Sequence, residues 1–148
     1  IRAIPALSLP GKTAPDTAAA ILARTEWGVT DEAILSAIAC HTAGKPGMSK
    51  LDKIVYLADM SSKERDWPGV NKLRKLELKD LDAAMLMALK QTNRFVLSQS
   101  KPLDPMSKAA YDDIRAQVEA REAAGENRPT DRKRKPIRKA FVERAMFF

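Results

Sequence analysis

Two side chains in the sequence are candidates for metal-based chemistry. His41 is the only histidine in the chain and stands just before the Gly/Pro turn "AGKPGM", and Asp59 is a lone carboxylate in the apolar segment after that turn. An imidazole nitrogen and a carboxylate oxygen are both ligands of divalent transition metals. Each residue also has a plain structural interpretation: His41 could be a hydrogen-bonded core side chain, and Asp59 could pair with Arg65 or Lys53.

Two predicted helices must position these side chains. The first begins near Thr30 and carries Asp31 and Glu32 in its first turn, where the helix dipole favours acids. Apolar residues then recur at helical spacing, and His41 follows on the same stripe at the last turn. We therefore expect the imidazole to lie at the end of this helix.

The second helix is predicted to begin at Ser49, where Asp52 three residues later makes a match to a capping box. Its inner stripe is predicted to consist of Leu51, Ile54, Val55 and Ala58. Asp59 lies one helical turn after Val55, so its side chain is expected to project close to the buried side. A carboxylate in that position needs a cation, several hydrogen-bond donors or a metal.

The composition predicts an all-α fold. Hydrophobic residues make up 45% of the chain, which is enough for a folded core rather than a disordered chain. Aromatic residues are scarce and good helix formers are plentiful, and no window alternates in the manner of a strand. Further helices are predicted over 70–77, from Asp80 onward and over 107–123, giving one partial domain over 1–124 and a basic extension over 125–148.

Charge and cysteine content limit the classes of protein. The net charge is +7, and much of the excess lies between residues 128 and 144. A basic segment can attract the phosphates of nucleic acid or ribosomes, although a solvated chain end is the plainer interpretation. Cys40 is the only cysteine, which excludes an internal disulfide, and no apolar stretch reaches the ~18–20 residues of a membrane span. We therefore predict a cytoplasmic protein that does not enter a membrane.

The stretch over residues 41–70, "HTAGKPGMSKLDKIVYLADMSSKERDWPGV", resembles the region around the last two metal ligands of the YqeK-type HD-domain hydrolases. The likeness extends over residues 9–115, through "LRKLELKDLDAAMLMALKQT" to "KPLDPMSKAAYDDI". Members of that family are all-helical. They cleave symmetrical dinucleoside polyphosphates, typically diadenosine tetraphosphate to two ADP, with a bound divalent metal.

The resemblance implies a truncated HD-domain helical bundle and a set of site residues. The implied metal ligands are His41 and Asp59, with iron as the first choice of metal and manganese as the alternative. The implied catalytic residues are Asp59 and Arg65. The implied substrate contacts are Thr42, Lys45, Arg65 and Asp66. A metal in such a site lowers the pKa of a bound water and polarises a phosphoryl oxygen, and basic side chains stabilise the charge that develops on the phosphate.

The sequence departs from the family pattern at its metal ligands. The family also uses an earlier histidine and a His-Asp pair, and this chain has no His-Asp dipeptide and no second histidine. Where the family has a histidine in an L-H-G-K turn, this chain has Pro10, which cannot coordinate a metal. Hydrolytic metal sites usually have three or more protein ligands, so we expect the 148-residue chain alone to bind metal weakly and to be poorly active.

Three interpretations of function stay open at this point. The chain could represent part of a dinucleoside polyphosphate hydrolase. It could instead be a non-catalytic helical remnant, or a binding module that reaches RNA or the ribosome through its basic extension. A third interpretation is a helical fragment with no stable fold, whose exposed apolar surface favours aggregation or self-association, for example as a homodimer.

Overall fold

The computed structural model describes residues 15–125, and that part of the chain is built from helices with no strand. The elements are α1 (Pro15–Trp27), α2 (Glu32–Cys40), α3 (Lys50–Ser61), α4 (Val70–Leu76), α5 (Leu81–Ser98) and α6 (Pro105–Ala123). The all-α prediction is confirmed for these residues. The turn containing Pro10 and the basic segment from residue 126 onward lie outside the described residues, so what we expect of them stays a prediction.

Short polar side chains start most of these helices. Asp31 Oδ1 accepts a hydrogen bond of 2.8 Å from the Ala33 backbone N–H and so caps α2, one residue later than the predicted start. The predicted capping box of α3 is present, because Ser49 and Asp52 bond each other's backbone N–H groups. The local sequence therefore sets the two helix starts that flank the candidate site.

The core forms around α5, which contacts α3, α4 and α6. The side chains at Ala84, Met85, Ala88 and Leu89 recur at helical spacing and are fully buried. They pack in one cluster with residues of the neighbouring helices, including Tyr56, Leu73 and Ile114. Burying a leucine, isoleucine or methionine side chain stabilises a fold by about 1.5–3 kcal/mol, so α5 is the central support of the described region.

The predicted inner stripe of α3 is wrong. Leu51 and Ile54 are 38% and 45% exposed, whereas Tyr56, Leu57 and the carboxylate of Asp52 are buried. Apolar residues occur on more than one side of α3, so periodicity alone does not fix which side faces α5. Further exposed apolar residues lie on α1 and α2, namely Leu22, Trp27 and Ile34.

The turn between α2 and α3 is pressed against the core at Gly44. Its φ of +75° suits glycine, and a Cβ at this position would lie 3.1 Å from Ala110 Cβ and 3.3 Å from Leu89 Cδ2. The glycine therefore lets the turn approach α5 and α6 more closely than a larger residue would. This contact fixes the segment that carries His41 and Thr42.

None of the helices within residues 15–125 is both long and apolar enough to cross a membrane.

Candidate functional site

Five of the six residues singled out from the sequence line one pocket of about 470 Å³ between α3 and α5. We call it the α3–α5 pocket. The five are His41, Thr42, Asp59, Arg65 and Asp66. The remaining lining residues are Tyr56, Met60, Glu64, Trp67, Gln91, Thr92 and Phe95. The pocket thus collects the end of α2, the last turns of α3, the following loop and the C-terminal half of α5.

The environment of His41 selects one tautomer of its ring. The residue follows α2 directly, and its Nδ1 lies 2.7 Å from the carbonyl oxygen of Ile38. A carbonyl oxygen can only accept, so Nδ1 carries the proton and donates it to that bond. In the neutral imidazole, Nε2 then carries the lone pair that a metal or a proton donor would use.

Asp59 is held by an ion pair with Arg65. The guanidinium Nη2 lies 3.2 Å from Asp59 Oδ1 and 3.1 Å from Oδ2, and Arg65 Nε donates to the Asp59 carbonyl oxygen at 3.1 Å. The two side chains are 45% and 50% exposed, so the expectation that Asp59 lies close to the buried side is wrong. Of the two structural partners considered from the sequence, Arg65 is the one observed, because Lys53 pairs with Asp82 at 2.8 Å instead.

Arg74 holds the loop that carries Arg65, and no sequence pattern indicates this role. From α4, its guanidinium donates to the carbonyl oxygens of Ser61 at 2.9 Å, Ser62 at 2.8 Å and Arg65 at 3.0 Å. These acceptors are distant in sequence, and "LRKLELKD" reads as an ordinary amphipathic surface. One side chain therefore satisfies three carbonyl groups and fixes the path of the backbone beside the pocket.

Lys45 lies with a buried acid rather than among the pocket-lining residues. Its ammonium is 3.7 Å from Asp52 Oδ2 and donates to the hydroxyl of Ser36, which in turn donates to Asp52 Oδ1 at 2.9 Å. Lys45 thus stabilises the charge at the start of α3. Its contact with a substrate phosphate stays a prediction.

The Asp52 carboxyl group is kept ionised although it is buried. Burial alone would raise its pKa, but the backbone N–H of Ser49, the hydroxyl of Ser36 and the charge of Lys45 outweigh burial and lower the pKa below its ordinary value. Burial is also the main cause that raises the pKa of the nearby Cys40 thiol to about 11, with the negative charge of Asp52 next. This thiol is therefore no candidate nucleophile at neutral pH.

The described residues supply donors of the right type for a metal, but too few of them. His41 and Asp59 both line the pocket, and no group of three or more His, Cys, Asp or Glu side chains within residues 15–125 could hold a metal ion. Hydrolytic sites use at least three protein ligands. The residues described thus fit only part of a metal site.

Comparison with known proteins finds relatives that match part of their length. No family model matches the sequence. The chain is 41% identical over 92 residues to a symmetrical bis(5'-nucleosyl)-tetraphosphatase of Bacillus subtilis, which covers 62% of this chain and 50% of that protein. It is 31% identical over 97 residues to the protein of the same name from Staphylococcus aureus. That match covers 61% of this chain and 50% of the Staphylococcus aureus protein. The chain thus spans about half the length of the curated relatives it matches.

A solved structure supports the same relationship. The crystal structure of a predicted HD superfamily hydrolase involved in NAD metabolism, from Clostridium acetobutylicum, superposes with a TM-score of 0.67 at 37% identity. The match covers 69% of this chain and 54% of that one. In both sequence and helical fold, the chain is similar to the YqeK-type HD-domain hydrolases over about half of their length.

Proposed function

We propose that the α3–α5 pocket binds one nucleotide end of a symmetrical dinucleoside tetraphosphate, such as diadenosine tetraphosphate. We propose that a protein in which further metal ligands complete this pocket hydrolyses diadenosine tetraphosphate to two ADP. The observation that supports this proposal is the convergence of His41, Thr42, Asp59, Arg65 and Asp66 on one pocket. A relative that is 41% identical over 92 residues of this chain is named a symmetrical bis(5'-nucleosyl)-tetraphosphatase.

The charges in the pocket favour a role for a divalent cation in binding. Asp59, Glu64 and Asp66 contribute three carboxylates to the lining, and Arg65 is the one guanidinium among the lining residues. A polyphosphate would be repelled by that balance, and a cation shared between the carboxylates and the phosphates would reverse it. We propose iron as the metal and manganese as the alternative, with His41 Nε2 and Asp59 as the donors that this part of the chain supplies.

The side chains around these donors have distinct proposed roles. Arg65 keeps the Asp59 carboxylate oriented and presents N–H groups to a substrate phosphate. The hydroxyl of Thr42 and the carboxylate of Asp66 contact the nucleotide. Because the described donors are fewer than three, we derive no chemical step through the metal and expect low activity of the 148-residue chain by itself.

The test is calorimetric titration of the full chain with ADP, with and without Mn²⁺. We expect binding that tightens on adding Mn²⁺ and that loses this gain in Asp59→Asn. Asp112→Asn is the matched control, because Asp112 is an exposed acid paired with Lys108 on α6. Absence of ADP binding by the unmodified chain under both conditions would show that the proposal is wrong. Efficient release of ADP from diadenosine tetraphosphate would instead contradict the expected low activity.

The location of the protein, its oligomeric state and an alternative role in RNA binding are three further points. The cytoplasm is the proposed location. A homodimer would be detected by light scattering at several protein concentrations. If the alternative of an RNA-binding or ribosome-binding module is right, RNA affinity will depend on salt and will vanish when residues 126–148 are deleted.

A further inference from the structure

A polar cluster outside the α3–α5 pocket joins the segments that lead to the two candidate metal donors. Ser36 lies on α2, Lys45 lies in the turn after α2, and Asp52 lies in the first turn of α3. The Ser36 hydroxyl donates to Asp52 Oδ1 at 2.9 Å. The Lys45 ammonium donates to the Ser36 hydroxyl and lies 3.7 Å from Asp52 Oδ2. We call these three residues the α2–α3 clamp.

The carboxylate of the α2–α3 clamp has little freedom to move. The Asp52 side chain is only 2% exposed, and its Oδ2 also accepts a hydrogen bond of 2.9 Å from the Ser49 backbone N–H. Both of its oxygens are therefore bonded inside the protein. A buried carboxylate that lost one of these donors would be left partly unsatisfied at a cost in free energy. The clamp is thus a fixed point between α2 and α3.

Both candidate metal donors follow this fixed point closely along the chain. His41 comes five residues after Ser36 and directly after the end of α2. Asp59 comes seven residues after Asp52 on α3. Seven residues are close to two turns of an α-helix, so the two acids lie on nearly the same side of α3, about 10 Å apart along its axis. An α-helix bends little over that length, so the clamp determines where both donors lie.

From this arrangement we propose that the α2–α3 clamp positions His41 and Asp59 toward a shared divalent cation. Lys45 is then a positioning residue, not a contact of the substrate phosphate. This inference rests on the proposed function, because it concerns the metal donors of that site. Two donors bind an ion well when both are already in place, so fixing their separation raises the affinity for the ion.

The test measures Mn²⁺ binding to the full chain by NMR, without nucleotide. His41 is the only histidine, so its ring signals are unambiguous, and Mn²⁺ bound beside the ring broadens them. Ser36→Ala and Lys45→Met should each raise the Mn²⁺ concentration at half-broadening about tenfold, as expected when a group that supports a metal ligand is lost. Lys108→Met is the matched control, because it removes an exposed lysine that pairs with Asp112 at 2.9 Å.

Two further variants separate positioning from general stability. The double variant of Ser36→Ala and Lys45→Met should lose no more Mn²⁺ affinity than either single variant, because both changes break the same cluster. Ser36→Thr keeps the hydroxyl and should keep the affinity. Circular dichroism checks folding, and Ser36→Ala alone decides the outcome if Lys45→Met does not fold. A cluster that only stabilised the protein would lower the unfolding midpoint without changing the Mn²⁺ affinity of the folded chain.

The outcomes distinguish this inference from the proposed function. If Ser36→Ala and folded Lys45→Met bind Mn²⁺ as tightly as the unmodified chain, the clamp is wrong while the proposed function stands. If Lys45→Met weakens ADP binding without Mn²⁺ and Ser36→Ala does not, Lys45 contacts the phosphate and its positioning role is wrong. If Mn²⁺ leaves the His41 signals of the unmodified chain unchanged, the metal site of the proposed function and this inference fall together.

Discussion

Two glycines in the turn between α2 and α3 allow a controlled test of how the site is held. Gly44 and Gly47 have similar backbone angles, with φ of +75° and +69°. Their surroundings differ, since a Cβ at Gly44 would meet Ala110 and Leu89, whereas a Cβ at Gly47 would have nothing within 4 Å. Replacing each by alanine therefore separates the cost of the backbone conformation from the cost of lost space.

The magnitudes follow from these surroundings. Alanine in a left-handed conformation costs about 1–2 kcal/mol, and this cost applies to both variants. Gly44→Ala adds overpacking, because Ala110 and Leu89 are fully buried and have no room to move away. Overpacking in a core typically costs about 1–3 kcal/mol. We expect the free energy of unfolding to fall by that further amount in Gly44→Ala compared with Gly47→Ala.

Urea unfolding followed by circular dichroism measures both variants. In thermal unfolding, each kcal/mol should lower Tm by about 4 °C in a protein of this size. We expect Gly44→Ala to have the lower midpoint in both experiments. Equal destabilisation by the two substitutions would refute the reasoning, because it would show that the turn does not press on α5 and α6.

Three further predictions concern Arg74, Asp52 and Cys40. Arg74→Lys should weaken Mn²⁺-dependent ADP binding severalfold, because an ammonium cannot reach three carbonyl groups in the plane of a guanidinium. Calorimetry checks this, with Lys72→Arg as the control. The pKa of Asp52 is lowered by folding, so its carboxylate contributes to stability above the unfolded pKa of about 3.9. That contribution is lost as the pH falls through the lower pKa of the folded state. Asp52→Asn should therefore flatten the acid side of a plot of the free energy of unfolding against pH. Burial raises the pKa of the Cys40 thiol to about 11, so little thiolate is present at pH 8. A disulfide reagent at that pH should label the folded chain much more slowly than the urea-unfolded chain. Equal labelling rates would contradict the burial of Cys40.

The helices could be predicted from the sequence because their signals are local. The caps at Asp31 and Ser49 act over two or three residues, and the α5 face repeats at helical spacing. The buried side of α3 could not be predicted, because it depends on Ser36 and Lys45, which approach Asp52 only after α2 has folded back. The general rule that acidic residues avoid the core fails for Asp52, because donors from distant parts of the sequence surround its carboxylate.

In the candidate site, too, local sequence signals could be predicted and contacts between distant residues could not. The family-like stretch from His41 to Asp66 identified five residues that the fold does bring to one pocket. Arg74 was not predicted, since its partners are main-chain oxygens whose positions depend on the loop between α3 and α4. The exposure of Asp59 was not predicted either, because it depends on which side of α3 packs on the core.

The ion pair between Asp59 and Arg65 has a consequence for the order of assembly. Many small metalloproteins fold only when they bind their metal ion, because the ligands of the metal-free protein repel one another. In this chain the Arg65 guanidinium already pairs with the Asp59 carboxylate, so we expect folding of residues 15–125 not to depend on an ion at this carboxylate. Chelating agents such as EDTA should accordingly leave the melting curve where it was.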